Sequence, residues 1–512
     1  MASHDNLGFI SSTEAVHHTK NSSELQDRIN EKVTHYGRNE NGNSNNRNGG
    51  FELEETKNKP ANISNDQTEH VYDPYLHREV EHPTTTADTL LHLLKGSLGT
   101  GILAMPKAFD NAGWAVGLIG TLLIGLLCTY CIHLLLKSEY EICRRKKIAS
   151  LTYPAVAENA LREGPNFFKR FSKAAPHIIN VFLMIYQLGG CSVYVVFIAT
   201  NIKTVRIFFI KIFCGNKNLI SNLIFFQALE PHVPIVYMLI LLLPLIFINW
   251  VRNLKFLVPF STIANIVSFV SFGIILYYIF REPLDFSERE PVGMLSNFPL
   301  FFGTVLFALE AIGVIMPLQN EMRTPKSFGR SFGVLNIGMG TVIILYLAVG
   351  FTGYIRYGNA LLGSITLNLP DEILAKSVQV LLAFSIYVTH ALMCYVAIEI
   401  SWNDYLGPKL EKSSRRLLWE YVLRTSLVIF TFLCAVAIPQ LELFISLIGA
   451  LSLSGLGLGF PAIIHTCAFW KVTHGSRKII MVTKNSFVVI FGILGLVAGT
   501  YTSLRDIVET FL

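Results

Sequence analysis

Runs of about 20 apolar residues recur along this chain, at about 88–109, 114–136, 177–205, 232–250, 254–280, 296–318, 331–355, 376–402, 418–437, 440–461 and 485–509. A run of that length covers a hydrocarbon core of about 30 Å at 1.5 Å per helical residue. A core helix of a water-soluble protein would carry a polar stripe instead. The pattern predicts an all-α integral membrane protein of about eleven transmembrane helices. Composition agrees, because only 15% of the 512 residues are charged, against roughly 25% in a soluble domain. The run at 440–461 is the least regular, with Glu442 near its start and glycines crowded into 449–459.

Two parts follow: a polar tail at 1–85 and a membrane domain at 86–512. The tail has no apolar segment and includes an Asn- and Gly-rich stretch at 39–50. It is expected to be disordered and cytosolic, with its last part, from Tyr72, packing under the membrane domain. The first transmembrane helix is expected to direct insertion. Lys and Arg crowd alternate loops, at 137–176, at Arg252 and Lys255, at Arg323 to Arg330, at Lys409 to Arg416 and at Lys471 to Lys484. The positive-inside rule puts those loops and the N-terminus in the cytosol, and the C-terminus outside the cell or in a lumen. On that topology the sequons at Asn21 and Asn62 are unused.

No basic stripe with interleaved aromatics is present, so nucleic acid is not an expected partner. The eight cysteines are scattered, mostly inside apolar runs, and are read as small packing residues. No metal, no cofactor and no catalytic constellation is expected, so the chain is not read as an enzyme.

The first apolar run contains Gly96-Ser97-Leu98-Gly99-Thr100-Gly101, three glycines in six residues near mid-membrane. Glycine lowers helix propensity by about 1 kcal/mol relative to alanine, so the helix is expected to open there. Opened backbone in lipid is tolerated only where it lines a cavity or meets a ligand. The bland alternative is close helix packing at the glycines. The sixth run, Phe301 to Pro317, carries Glu310 amid small residues. Paired interruptions five helices apart suggest an inverted 5+5 repeat with substrate between the breaks.

Ionisable groups inside the membrane are functional candidates by default. His92 lies about one turn before the glycine break, and imidazole titrates near neutral pH, which suits proton coupling. The other reading is a neutral histidine bonded between helices. For Glu310 the roles are substrate ammonium binding, proton coupling or pairing with Lys95. His390 reads as a packing residue. Gln187, Cys191 and Tyr194 share a helix face that either lines a cavity or simply packs, and Phe301, Thr304 and Phe307 share the face leading to Glu310 and are candidates to bound the pocket.

The run His92 to Gly101 resembles the opening motif of the proton-coupled amino acid transporter family, in the amino acid/auxin permease group. Further similar stretches are Glu81-His82-Pro83-Thr84, Asn111-Ala112-Gly113, Tyr186 to Gly189, Arg252-Asn253-Leu254, Phe301 to Pro317 and Gly363 to Pro370. The resemblance implies a leucine-transporter-type fold of a 5+5 inverted repeat plus one helix. It also implies transport of small neutral amino acids such as glycine, alanine and proline, with the proton as coupling ion, at plasma, lysosomal or late endosomal membranes. His92 matches the histidine linked with proton coupling. Some relatives carry an outer disulfide; only Cys214 falls in a predicted outer loop here, so that bridge is not expected.

The binding set expected on these grounds is Gly96, Ser97, Gly99, Thr100, Gly101, Phe307, Ala308 and Glu310, with Gln187, Cys191, Tyr194 and Thr304 as further cavity candidates. The substrate carboxylate would meet amides at Gly96 to Gly101, and its ammonium would meet carbonyls near Ala308 to Gly313. The alternative function is a lysosomal amino-acid sensor, whose tail would hold a cytosolic signalling partner.

Overall fold

A computed structural model describes residues 72–78, 80, 83–97, 99–213, 233–253, 256–287, 289–309 and 312–511. Glu310, Cys214, both sequons and the tail up to 71 lie outside the described residues.

Every named element is helical, as lipid requires of a chain that must satisfy its own backbone. In order they are α1 (Thr86–Ser97), α2 (Thr100–Ala112), α3 (Trp114–Lys146), α4 (Tyr153–Glu163), α5 (Ala175–Phe213), α6 (Val233–Asn249) and α7 (Val258–Phe280). Then come α8 (Phe298–Leu309), α9 (Ile312–Glu321), α10 (Val334–Tyr357), α11 (Ile373–Glu399), α12 (Arg416–Ala437), α13 (Leu441–Ile448), α14 (Phe460–Ala468) and α15 (Gly475–Phe511). Among the described residues nine helical stretches are long and apolar enough to cross a membrane, and Pro234–Asn249 is a shorter apolar helix. With the divided first span, α1 and α2, these account for all eleven apolar runs.

Several helices outrun their apolar stretch. α3 continues from 136 to Lys146 and α15 begins at Gly475 rather than near 485. Hydropathy marks the slab a helix crosses, not where its hydrogen bonding stops. The irregular run near 440–461 becomes one continuous rod in which Gly449–Gly459 is wound as a π-helix between α13 and α14. Its glycines admit close neighbours: a Cβ on Gly449 would stand 3.1 Å from the Phe307 Cβ.

That rod and the sixth span form the centre. In their most apolar windows 83% and 75% of residues are buried by protein, against 17% for α15 at the periphery. α2 packs on α8 and α10, and α11 packs on α5 and α7. These two groups bound a hollow near the first-span break.

Candidate functional site

The backbone opens where the glycines fall. α1 stops at Ser97 and α2 starts at Thr100, with Gly99 between them in an extended conformation (φ −121°, ψ −149°). Glycine has no side chain to cap α2, and no side-chain cap bond is made. The positive end of α2 is therefore left open, the arrangement that suits an anionic group. The end of α1 is held instead: the Ser97 carbonyl accepts from the Gly99 N–H at 3.1 Å and from the Tyr346 hydroxyl of α10.

Beside this break lies a cavity of about 240 Å³. Sites for drug-sized ligands run to roughly 300–1,000 Å³, so this one suits a smaller solute. α1 contributes His92, Lys95 and Gly96, the break contributes Gly99, and α9 contributes Gly313 and Val314. From α5 come Tyr186, Gln187 and Tyr194. The Tyr194 hydroxyl lies 3.7 Å from where a Gly99 side chain would begin. Gln187 and Tyr194 are each only 8% exposed, and among the described residues neither side chain has a hydrogen-bond partner. Their polar atoms face the cavity and are free to bond a polar guest.

The cavity thus gathers His92, Gly96, Gly99, Gln187 and Tyr194 from the sequence-derived candidates. Other candidates lie off its wall. A Cβ on Gly101 would stand 2.6 Å from the Ala308 Cα, so Gly101 and Ala308 bring α2 and α8 together. The Ser97 hydroxyl bonds back to the Leu93 carbonyl at 3.0 Å, and Thr304 does the same to Leu300 at 2.9 Å. Thr100 is buried with its hydroxyl unpartnered. Phe307 sits behind Tyr186, with ring centroids 6.4 Å apart. Cys191 is fully buried with its Sγ 3.7 Å from the His390 carbonyl oxygen, and His390 itself packs with Nδ1 3.4 Å from the Asn249 amide nitrogen.

Sequence reading missed the opposite wall. Ser261, Asn265 and Ser268 of α7 line the cavity with Ser385 and Thr389 of α11. Spacings of four and three put the α7 residues on one face, a polar stripe visible in the apolar run at 254–280. It also passed over the C-x-x-C spacing of Cys128 and Cys131; both are buried on α3. Among the described residues no group of three or more His, Cys, Asp or Glu is placed to hold a metal ion.

The family profile described as "Transmembrane amino acid transporter protein" matches residues 82–505. The chain belongs to that transmembrane amino acid transporter family. The Drosophila melanogaster "Proton-coupled amino acid transporter-like protein pathetic" is 40% identical over 441 residues, covering 86% of this chain and 89% of that protein. The Caenorhabditis elegans "Probable amino acid transporter skat-1" is 24% identical over 442 residues, covering 83% and 91%. The chain is thus an integral membrane amino acid transporter, not an enzyme.

The transporter's cavity is lopsided. Its lining comes mainly from α1, the break, α5, α9, the first two thirds of α7 and the last two thirds of α11. On the other side of the break, α2 and α8 are packed shut at Gly101 and Ala308. There Lys107 of α2 bonds Asp110 at 2.8 Å and lies 3.8 Å from Glu442 of α13. The loop before α8 locks onto the end of α2, where Gly293 N–H donates to the Ala112 carbonyl at 2.7 Å. Gly113 makes that approach possible with φ +82°, a conformation rare for residues bearing Cβ.

On the face toward which the cavity extends, the described residues between Tyr72 and Thr85 form a strap. The Thr84 N–H donates to the Glu321 carbonyl and the Arg323 N–H to the Thr84 carbonyl, both at 2.9 Å. The Arg78 guanidinium donates to the Gln319 carbonyl at 3.1 Å and lies 3.9 Å from Glu139 of α3. The Gln319 amide donates to the Tyr75 hydroxyl at 2.9 Å, and Asp73 pairs with Lys326. Burial pushes the Tyr75 phenol above its usual range, so it stays neutral. Burial alone would raise the Asp73 carboxyl, but Lys326 and the Tyr75 N–H hold it below its usual value.

Proposed function

We propose that this transporter carries small neutral amino acids, of the glycine, alanine and proline type, together with a proton. The observation that carries this reading is the cavity of about 240 Å³ beside the open N-terminus of α2, with Gln187 and Tyr194 unmet on its wall. The amides at the start of α2 bind the carboxylate. The ammonium is bound by carbonyls around the sixth span, near Ala308 to Gly313, with Glu310 as a further candidate for that role. The small volume and largely apolar lining favour short, uncharged side chains.

The proton binds at His92, which lines the cavity, with Glu310 as its partner in coupling. Coupling requires the outward and inward states to differ in proton affinity. The first, second, sixth and seventh spans rock against the rest within an inverted 5+5 repeat. We read the one-sided cavity as open toward the cytosol, on a topology that puts the N-terminus in the cytosol and the C-terminus outside or in a lumen. The name of the Drosophila relative, which calls it proton-coupled, supports the coupling. The resident membrane is the plasma membrane or that of a lysosome or late endosome.

The test is uptake of labelled alanine and proline into proteoliposomes, with and without an imposed pH gradient. Wild type accumulates both with the gradient, whereas His92→Ala and Glu310→Gln lose gradient-driven accumulation. If both variants accumulate at wild-type rates, the coupling residues lie elsewhere. If wild type itself accumulates neither solute, transport of small neutral amino acids is the wrong reading.

A further inference from the structure

The wall facing the break differs from the break itself. Ser268 and Ser385 bond each other at 2.7 Å, and Ser385 also donates to the Ala264 carbonyl at 3.0 Å. Thr389 donates to the Ser385 carbonyl at 2.9 Å. The two serine hydroxyls hold α7 against α11, while the Thr389 hydroxyl is spent within α11. Asn265, one turn before Ser268, lines the same cavity, yet among the described residues its carboxamide has no partner. Asparagine is a poor helix former, and an amide inside an apolar run is costly. Its neighbours Ile263 and Ile266 point outward, 51% and 61% exposed, so the helix has turned its apolar face out and its amide in.

We propose that Asn265 reads the substrate's side chain, and that among small neutral amino acids the site favours those bearing a hydroxyl. This rests on the transport reading above and refines its substrate class. The backbone of the substrate is held at the break, by α2 amides and the α5 polar groups. Its side chain then extends toward α7. A carboxamide offers two donors and an acceptor, so it both gives to and takes from one hydroxyl. It carries no charge, so it recognises neither an acid nor a base. Serine and alanine differ by one oxygen and nearly nothing in size. A site with an amide waiting for that oxygen leaves the amide unmet when alanine binds, and discriminates accordingly.

The experiment is internal competition between labelled serine and labelled alanine in proteoliposomes holding the full chain, read as the ratio of their kcat/KM values. Competition cancels differences in protein amount and orientation. Wild type prefers serine, and Asn265→Leu, similar in size but unable to hydrogen-bond, lowers the preference roughly tenfold. Threonine against valine follows the same order. Where the leucine variant does not fold, Asn265→Ser decides, since its hydroxyl is too short to reach and the preference falls likewise. A wild type without serine preference overturns the assignment, and so does an Asn265→Leu that keeps it. Equal loss of both solutes also overturns it, by putting Asn265 in machinery common to all substrates. Wild-type vesicles that take up neither solute instead remove the transport reading, and this assignment with it.

Discussion

Gly101 of α2 and Ala308 of α8 are packed so closely that a Cβ on the glycine would stand 2.6 Å from the Ala308 Cα. Gly99, two residues earlier, faces open space apart from the Tyr194 hydroxyl at 3.7 Å. One glycine of the motif is a packing surface and the other a site surface.

The two alanine substitutions should therefore fail differently. Gly101→Ala overpacks backbone against backbone and is expected to cost about 1–3 kcal/mol, seen as a lowered Tm of the detergent-purified protein. Gly99→Ala keeps its Tm within a few degrees and raises KM for uptake by taking cavity space beside Tyr194. Equal Tm losses would show that both glycines pack.

The Tyr346 hydroxyl is the side-chain donor that holds the Ser97 carbonyl at the end of α1. Tyr346→Phe leaves that buried acceptor with the Gly99 N–H alone and is expected to cost about 1 kcal/mol. Because Tyr346 does not line the cavity, uptake of all substrates should slow together, with serine-to-alanine preference unchanged in the competition assay.

Arg78 and Glu139 are buried together, with side chains 7% and 2% exposed. Arg78→Ala strands the carboxylate and is expected to cost about 3 kcal/mol. Glu139→Gln should cost less, and adding it to Arg78→Ala should recover part of the loss. A double-mutant cycle on Tm measures that coupling; strictly additive losses would show the pair does not interact.

The strap's outer pair sets a pH expectation. Asp73, held below its usual value of 3.8, contributes above that value and loses its contribution as pH falls through the lowered one. Lys326, raised above its usual 10.5 by Asp73, contributes below that value and loses its contribution only as pH rises beyond it. Strap protection should thus be flat between about pH 5 and 8. Hydrogen exchange across residues 72–85, corrected for intrinsic rates, checks this; a drop at pH 5 would locate a titrating group elsewhere in the strap.

Much of this was legible because lipid imposes simple rules. Long apolar runs become spanning helices, and Gly96 to Gly101 marks an opening since glycine gives helix its least support. The glycines at 449–459 signalled irregularity but not its form, because π winding depends on what packs against it, here Gly303 and Phe307. Cavity membership within a helix was harder. Gly101 and Gly99 are the same residue type two positions apart, and only the neighbouring α8 separates their roles. Asn265 and Ser268 stood in plain view as polar letters in an apolar run. Their different fates follow from Ser385, more than a hundred residues away. Arg78, read as part of the tail, finds Gln319 and Glu139 by tertiary packing that no local pattern announces. The sixth-span candidate Glu310 lies outside the described residues.

Thr84 is stitched on both sides to the chain leaving α9, and α9 forms part of the cavity wall. Any shift of α9 must either drag the segment ahead of α1 along or snap those two bonds. Should cargo displace α9, that movement reaches the segment ahead of α1, and a dye at Tyr72 is placed to sense it without ever touching the chamber that holds the cargo.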